Sequence, residues 1–243
     1  MSIELWTAPT PNGWKTSIML EELIEQGVQL PDIQVNTVNL LQGEQFSDVY
    51  EKINPNQKIP ALKHNNVCLM ESCAILQYLA EAFPSSLMPE GDDRWDVLQW
   101  VYWQAANLGP VFGNKLSYTR YLINETSELQ REHPLERFSK EAQRLLTVFN
   151  KQLEGKKFIT GELFTIADIA VFPWVRAWKW CKIDITYHEN VVRWFESVSL
   201  RPGVQRGVAY GAPKGEEQQW SKKTKKRYAS SGAVIASNES TEN

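Results

Sequence analysis

Three short segments near the start of the chain carry groups whose type and spacing could do chemistry. The first is Thr10-Pro11-Asn12-Gly13. It precedes an apolar run of helical period, so its hydroxyl, amide and backbone N–H groups sit at the end of a helix that favours negative charge. A thiolate held there gains from the helix dipole and from hydrogen bonds by the Thr10 hydroxyl or the Asn12 amide. Both lower a thiol pKa, so deprotonation would need no general base. Taken alone, the same four residues also read as a turn that needs Asn and Gly. The second segment is Ile59-Pro60. A cis bond there would turn the Ile59 backbone outward, where it could pair with an extended peptide as a short extra strand; a trans proline in a loop is the commoner state of such a bond. The third is Glu71-Ser72. Helix-terminal N–H groups and a Ser hydroxyl can take a carboxylate while Glu71 accepts from an ammonium. That combination suits an α-amino acid head, and the dipeptide alone also reads as a plain Ser N-cap.

The elements that must position these segments follow from periodicity. Ile3–Trp6 alternates as a strand. From Trp14, the residues Ile18, Leu20, Glu21, Leu23 and Ile24 follow a period near 3.6, and Gly27 is a helix stop. Ile33–Leu41 alternates again, and Phe46–Ile53 reads as a short helix. Ala61–Lys63 and Val67–Met70 flank Asn65-Asn66 as a hairpin. Ser72 opens a helix with Ile75, Leu76, Leu79 and Phe83 on one face, ended by Pro84. The order is β-α-β, α, then β-β-α. Beyond residue 90 the pattern is helical. Arg94–Leu108 is helical, with Trp95, Leu98, Tyr102 and Ala105 on one stripe, and Leu135–Leu153 is a long helix. Thr165-Ile166-Ala167-Asp168 has capping-box spacing before Ile169–Val175, and Val191–Val198 is a helix ended at Arg201-Pro202-Gly203.

Composition excludes several classes of function. The 243 residues carry a net charge of −3, so the chain as a whole lacks the footprint of a nucleic-acid binder. Three cysteines, Cys68, Cys73 and Cys181, contain no CxxC pair, which argues against a disulfide framework, a dithiol redox motif and a zinc site. The histidines His64, His133 and His188 lack metal-ligand spacing. Buried structural cysteines in a reducing compartment are expected. There is no basic and apolar leader at the N-terminus and no apolar run of about 18–20 residues. The expectation is a cytoplasmic protein with no membrane span. Residues 213–243 are polar, carry the run Lys222-Lys223-Thr224-Lys225-Lys226-Arg227, and are expected to be disordered.

The order strand-turn-helix, Ile-Pro-strand, strand-Glu-Ser-helix resembles the glutathione transferase family over roughly residues 1–212. The resemblance narrows at Ala8-Pro9-Thr10-Pro11-Asn12-Gly13, Gly43-Glu44-Gln45-Phe46, Asn54-Pro55-Asn56-Gln57-Lys58-Ile59-Pro60 and Leu98-Gln99-Trp100-Val101-Tyr102-Trp103-Gln104. These are similar to the bacterial nu-class and fungal nitrogen-regulator-like branch, in which the usual catalytic Tyr, Ser or Cys is missing; none occurs here in Trp6–Lys15. The resemblance implies an α/β thioredoxin-like N-terminal domain (βαβαββα) at 1–85 and an all-α helical C-terminal domain at 92–212. It implies glutathione as substrate or cosubstrate, without a metal. Thr10 and Asn12 would serve the sulfur, and Gln45 and Lys58 the glycyl end. The Ile59 backbone beside a cis Pro60 would pair with the cysteinyl unit, and Glu71 and Ser72 would take the γ-glutamyl group. Arg137 would reach across a homodimer. The implied activity is glutathione-dependent reduction of a disulfide or peroxide, with conjugation to electrophiles as a further use of the same thiolate. A non-catalytic regulatory or interaction module on the same fold is the alternative.

Overall fold

The computed structural model describes residues 2–40, 42–124 and 126–211. The polar segment 213–243, with its basic run, lies outside the described residues. Alternation along β1 (Ser2–Thr7) turns Ile3, Leu5 and Thr7 inward. Four strands form one mixed sheet in the order β2-β1-β3-β4. β1 pairs in parallel with β2 (Asp32–Thr37), Ser2 opposite Asp32. It pairs antiparallel with β3 (Ala61–His64), and β3 with β4 (Val67–Met70) across the Asn65-Asn66 turn. The parallel pair requires a crossover, and α1 (Pro11–Glu25) supplies it. After β4 comes α3 (Ser72–Ala82). This is the expected thioredoxin-like βαβαββα order.

The second half is helical: α4 (Asp93–Trp103), α5 (Gly109–Leu116), α6 (Glu128–Gln152), α7 (Ile166–Arg176), α8 (Glu189–Ser199) and α9 (Pro202–Ala209). α1 is buried on nearly all sides because α3, α7 and α9 enclose it. Gly207 of α9 has no room for a side chain; a Cβ there would lie 2.5 Å from the Ile18 Cα. The capping box forms at the start of α7. The Thr165 hydroxyl accepts from Ala167 N, and Asp168 accepts from Thr165 N at 3.0 Å. Asp168 also accepts from Ile159 N and Trp194 Nε1, and its complete burial pushes its carboxyl up to about 6.

Several expectations need correction. The second strand ends at Thr37, short of Leu41, because the chain then bends to pass through Gly43 in the left-handed region. The 46–53 helix is reduced to a 3-10 turn at Glu44–Phe46 and α2 (Asp48–Glu51), split where the Ser47 side chain caps Tyr50 N. The buried stripe of α4 is Val97, Leu98 and Val101, continued by Gln104 and Leu108. Trp95 and Tyr102 are 65 % and 56 % exposed, and Ala105 is exposed too. The apolar residues of that helix are spread around its circumference among Asp93, Arg94, Asp96 and Gln99, so periodicity alone could not choose its inner face. α6 begins seven residues earlier than Leu135, because a Ser127–Gln130 capping box starts it ahead of Pro134. Pro202 does not merely end a helix; it occupies the first position of α9, where its missing N–H costs nothing.

Candidate functional site

A cavity of about 270 Å³ opens where the strand ends of the sheet meet the helical half. Of the nine residues singled out from the sequence, eight line it: Thr10, Asn12, Gln45, Lys58, Ile59, Pro60, Glu71 and Ser72. Arg137 does not. It lies exposed on α6, away from this cavity and from the neighbouring one of about 600 Å³.

Thr10 is the N-cap of α1, in extended conformation, and its hydroxyl oxygen accepts from Gly13 N at 3.3 Å. The hydroxyl proton is thereby left to donate elsewhere. Gly13 is required by close approach: a Cβ would sit 2.1 Å from the Ala8 carbonyl oxygen. Asn12 is oriented from the helical half. Trp174 Nε1 on α7 donates to Asn12 Oδ1 at 3.0 Å. An indole N–H can only donate, so it takes the amide oxygen and leaves the Asn12 NH₂ as the donor. Two neutral donors thus stand at the N-terminus of a fifteen-residue helix, where its dipole is positive.

The Ile59–Pro60 bond is cis. The preceding carbonyl, that of Lys58, accepts from Tyr50 Oη at 2.7 Å and Asn54 Nδ2 at 2.6 Å. This double clamp holds the loop that presents the Ile59 backbone. Burial raises the Tyr50 phenol pKa, so it remains a donor at neutral pH. Neither clamp residue was singled out from sequence; the Asn-Pro-Asn turn was their only trace. Gln45 is 5 % exposed, and its side-chain oxygen is buried without a hydrogen-bond partner. A buried amide oxygen left so is costly unless a donor arrives.

Glu71 has φ +69°, a region disfavoured for side chains, and this bend turns β4 into α3. Ser72 follows at the first helical position and is mostly buried. Its oxygen accepts from Lys15 Nζ at 3.1 Å. Lys15, on α1, is 2 % exposed and also donates to Gln104 Oε1 at 2.5 Å and towards Cys73 Sγ at 3.8 Å. Burial lowers the Lys15 pKa. Sequence reasoning missed Lys15 and Gln104; a lysine amid the apolar positions of α1 was the available signal.

Among the described residues no cysteine lines the 270 Å³ cavity that holds both Thr10 and Asn12, whereas Cys73 lines the neighbouring cavity that Asn12 also borders. Cys181 is buried, its thiol pushed up to about 12, and Cys73 is buried beside Lys15; Cys68, by contrast, is exposed on β4. A thiol at the Thr10–Asn12 turn therefore has to come from a ligand. The far wall is aromatic. The Trp180 ring centroid lies 5.5 Å from that of Trp14, and the Arg120 guanidinium lies 5.5 Å from the Trp180 ring centroid.

This arrangement, a thioredoxin-like sheet with a cis-proline loop facing an all-helical half, agrees with comparisons to known proteins. Residues 1–81 match the family model of the glutathione S-transferase N-terminal domain, and residues 116–202 that of the C-terminal domain. The chain belongs to the glutathione transferase family. It is 38 % identical over 213 residues to the disulfide-bond oxidoreductase YfcG of Escherichia coli K12, covering 85 % of this chain and 94 % of that one. It is 37 % identical over 221 residues to YghU, a disulfide-bond oxidoreductase of the same organism, covering 84 % and 73 %. Among solved structures it is similar to a glutathione transferase family member of Pseudomonas fluorescens Pf-5 with two glutathiones bound (TM-score 0.76, 36 % identity, 85 % and 92 % covered). It is also similar to a Pseudomonas putida glutathione transferase with one glutathione disulfide bound per subunit (TM-score 0.76, 33 % identity, 86 % and 91 % covered).

Proposed function

We propose that this protein binds glutathione and uses its thiolate to reduce disulfides. The observation that carries this reading is the pair of free donors, the Thr10 hydroxyl and the Asn12 amide, at the N-terminus of α1 in a cavity without a protein cysteine. Those donors stabilise the ligand's own thiolate. Glu71 accepts from the γ-glutamyl ammonium, while Ser72 and the α3 N–H groups take its carboxylate. The Ile59 backbone pairs with the cysteinyl unit. Lys58 serves the glycyl carboxylate, and the unpartnered Gln45 oxygen accepts an N–H near that end.

In the reaction the thiolate attacks one sulfur of a disulfide R–S–S–R′. The new bond gives the mixed disulfide of glutathione and R–S, and R′–S⁻ leaves with the electron pair and takes up a proton. A second glutathione thiolate attacks the glutathione sulfur of that mixed disulfide. Glutathione disulfide forms and R–S⁻ departs. The neighbouring larger cavity, which shares Asn12, Glu71, Ser72 and Trp174, gives the second thiol room. The similar structures that carry two glutathiones or one glutathione disulfide support a site with room for two glutathionyl units. Peroxide reduction and conjugation to small electrophiles use the same thiolate.

The protein acts as a cytoplasmic homodimer. Exposed Met70, Trp95 and Tyr102 supply apolar surface for the partner, which would bring Arg137 towards glutathione in the other subunit. The functional units are a glutathione-binding domain at 1–85 and a helical domain at 92–212. The complete set of polar groups at Thr10, Asn12, Glu71 and Ser72 favours an enzyme over a non-catalytic module. Retention on immobilised glutathione and glutathione-dependent turnover of hydroxyethyl disulfide test this. Both are expected, and failure of both removes the reading.

A further inference from the structure

Lys15 is a charged group that the thiol chemistry above does not use. It sits on the second turn of α1, enclosed by α3 and the Gln104–Leu108 π-helical turn that joins α4 to α5. A buried ammonium is costly unless it is paired. Its partners at hydrogen-bond distance are Ser72 Oγ, Gln104 Oε1 and Cys73 Sγ. Among the described residues no ion pair includes it. Gln104 is itself held in place, since Gly109 leaves it space that a Cβ would invade at 2.6 Å. The π-helical turn is the kind of local rewinding that re-aims a side chain at a functional site. The cation is therefore fixed from both halves of the molecule; the Glu71 carboxylate acts on it from beyond ion-pair distance, and no carboxylate lies within that distance among the described residues.

The bond from Lys15 to Ser72 has a directional consequence. Because the ammonium donates to Ser72 Oγ, the serine hydroxyl gives one lone pair inward and its one proton, which the ammonium cannot accept, is free for a group in the cavity. A carboxylate accepting that proton would lie about 5–6 Å from the ammonium, two hydrogen-bond lengths away. An opposite charge at that range strengthens both the ion and the hydrogen bond between them. We infer that Lys15 is a positioning residue for the carboxylate end of the γ-glutamyl group: it aims the Ser72 proton at that carboxylate and supplies the buried positive charge that selects a carboxylate over a neutral head. This rests on the reading that Glu71 and Ser72 take the γ-glutamyl group. Burial lowers the Lys15 pKa and the Glu71 carboxylate partly opposes this; a bound carboxylate would add to that opposition.

The test compares two ligands by calorimetry on the full-length protein. One is S-methylglutathione. The other is its analogue with 4-aminobutyryl in place of γ-glutamyl, which lacks only that carboxylate. The wild type is expected to bind S-methylglutathione at least about tenfold more tightly, the size of a charge-assisted hydrogen bond. Lys15→Met should shrink the ratio to about threefold or less by weakening S-methylglutathione alone. A folded Lys15→Met protein that keeps the full ratio, or that weakens both ligands equally, overturns the inference while leaving the γ-glutamyl reading standing. A wild-type ratio near one overturns both. If Lys15→Met does not fold, Nζ resonances of lysine-labelled wild type replace it. The Lys15 signal should shift with S-methylglutathione and stay with the analogue; an equal response to both overturns the inference.

Discussion

The N-termini of α1 and α3 both follow a strand and both face the same cavity, yet they are built differently. The α1 end offers neutral donors. Thr10 caps its own helix, and Asn12 is oriented by an indole from the helical half. The α3 end is charged. Glu71 is held at positive φ, and Ser72 is backed by the buried Lys15 ammonium. The difference matches the two ends of one ligand. A thiolate must stay nucleophilic, so it is better steadied by a few neutral hydrogen bonds and a helix dipole than paired with a full cation. An amino acid head has only to be held, and full charges hold it best.

The contrast can be broken at its root. Gly13→Ala drives a Cβ into the Ala8 carbonyl and displaces the α1 turn. A loss of about 3 kcal/mol in denaturant stability, with loss of turnover, is expected. A sharper cut separates turnover from binding. Asn12→Ala should lower disulfide turnover about 100-fold, the usual cost of removing one preorganised donor from a developing or resting anion, with glutathione affinity within about threefold of wild type. Ser72→Ala should do the reverse. Glutathione binding weakens by about 1–3 kcal/mol in calorimetry, while turnover at saturating glutathione stays near wild type. If both variants change the same parameter, the two ends are not specialised. Trp174→Phe is gentler. It keeps the ring and deletes only the donor to Asn12 Oδ1, freeing the amide to flip, so turnover should fall about tenfold with thermal stability little changed.

Much of the α3 and α1 ends was legible in the sequence because their logic is local. A hydroxyl before a helix, Asn-Gly in a turn, and Glu-Ser between a strand and a helix act within a few residues of chain. What braces them was not legible. Lys15 meets Gln104 across 89 positions, and Trp174 meets Asn12 across 162. No local period encodes such contacts. The α4 misassignment has the same origin. Trp95 and Tyr102 are as apolar as the residues beneath them, and only the packing of α7 behind the helix selects Val97 and Val101 for the core. The prolines near helix ends, Pro134 and Pro202, show the same limit. Ser127 starts α6 ahead of one proline, and the other is itself the first residue of α9.

The thiol pKa of bound glutathione tests the central claim most directly, read from thiolate ultraviolet absorbance as pH is raised. Thiolate appears above the pKa, so a lowered pKa moves the rising limb of both absorbance and turnover to lower pH. In the wild type the bound thiol should titrate well below the ordinary value of about 8.5. Thr10→Ala should push it back up and carry the turnover limb to higher pH with it. Thr10→Ser should restore both. A bound thiol that titrates like free glutathione, or one that Thr10→Ala leaves unmoved, would contradict the account.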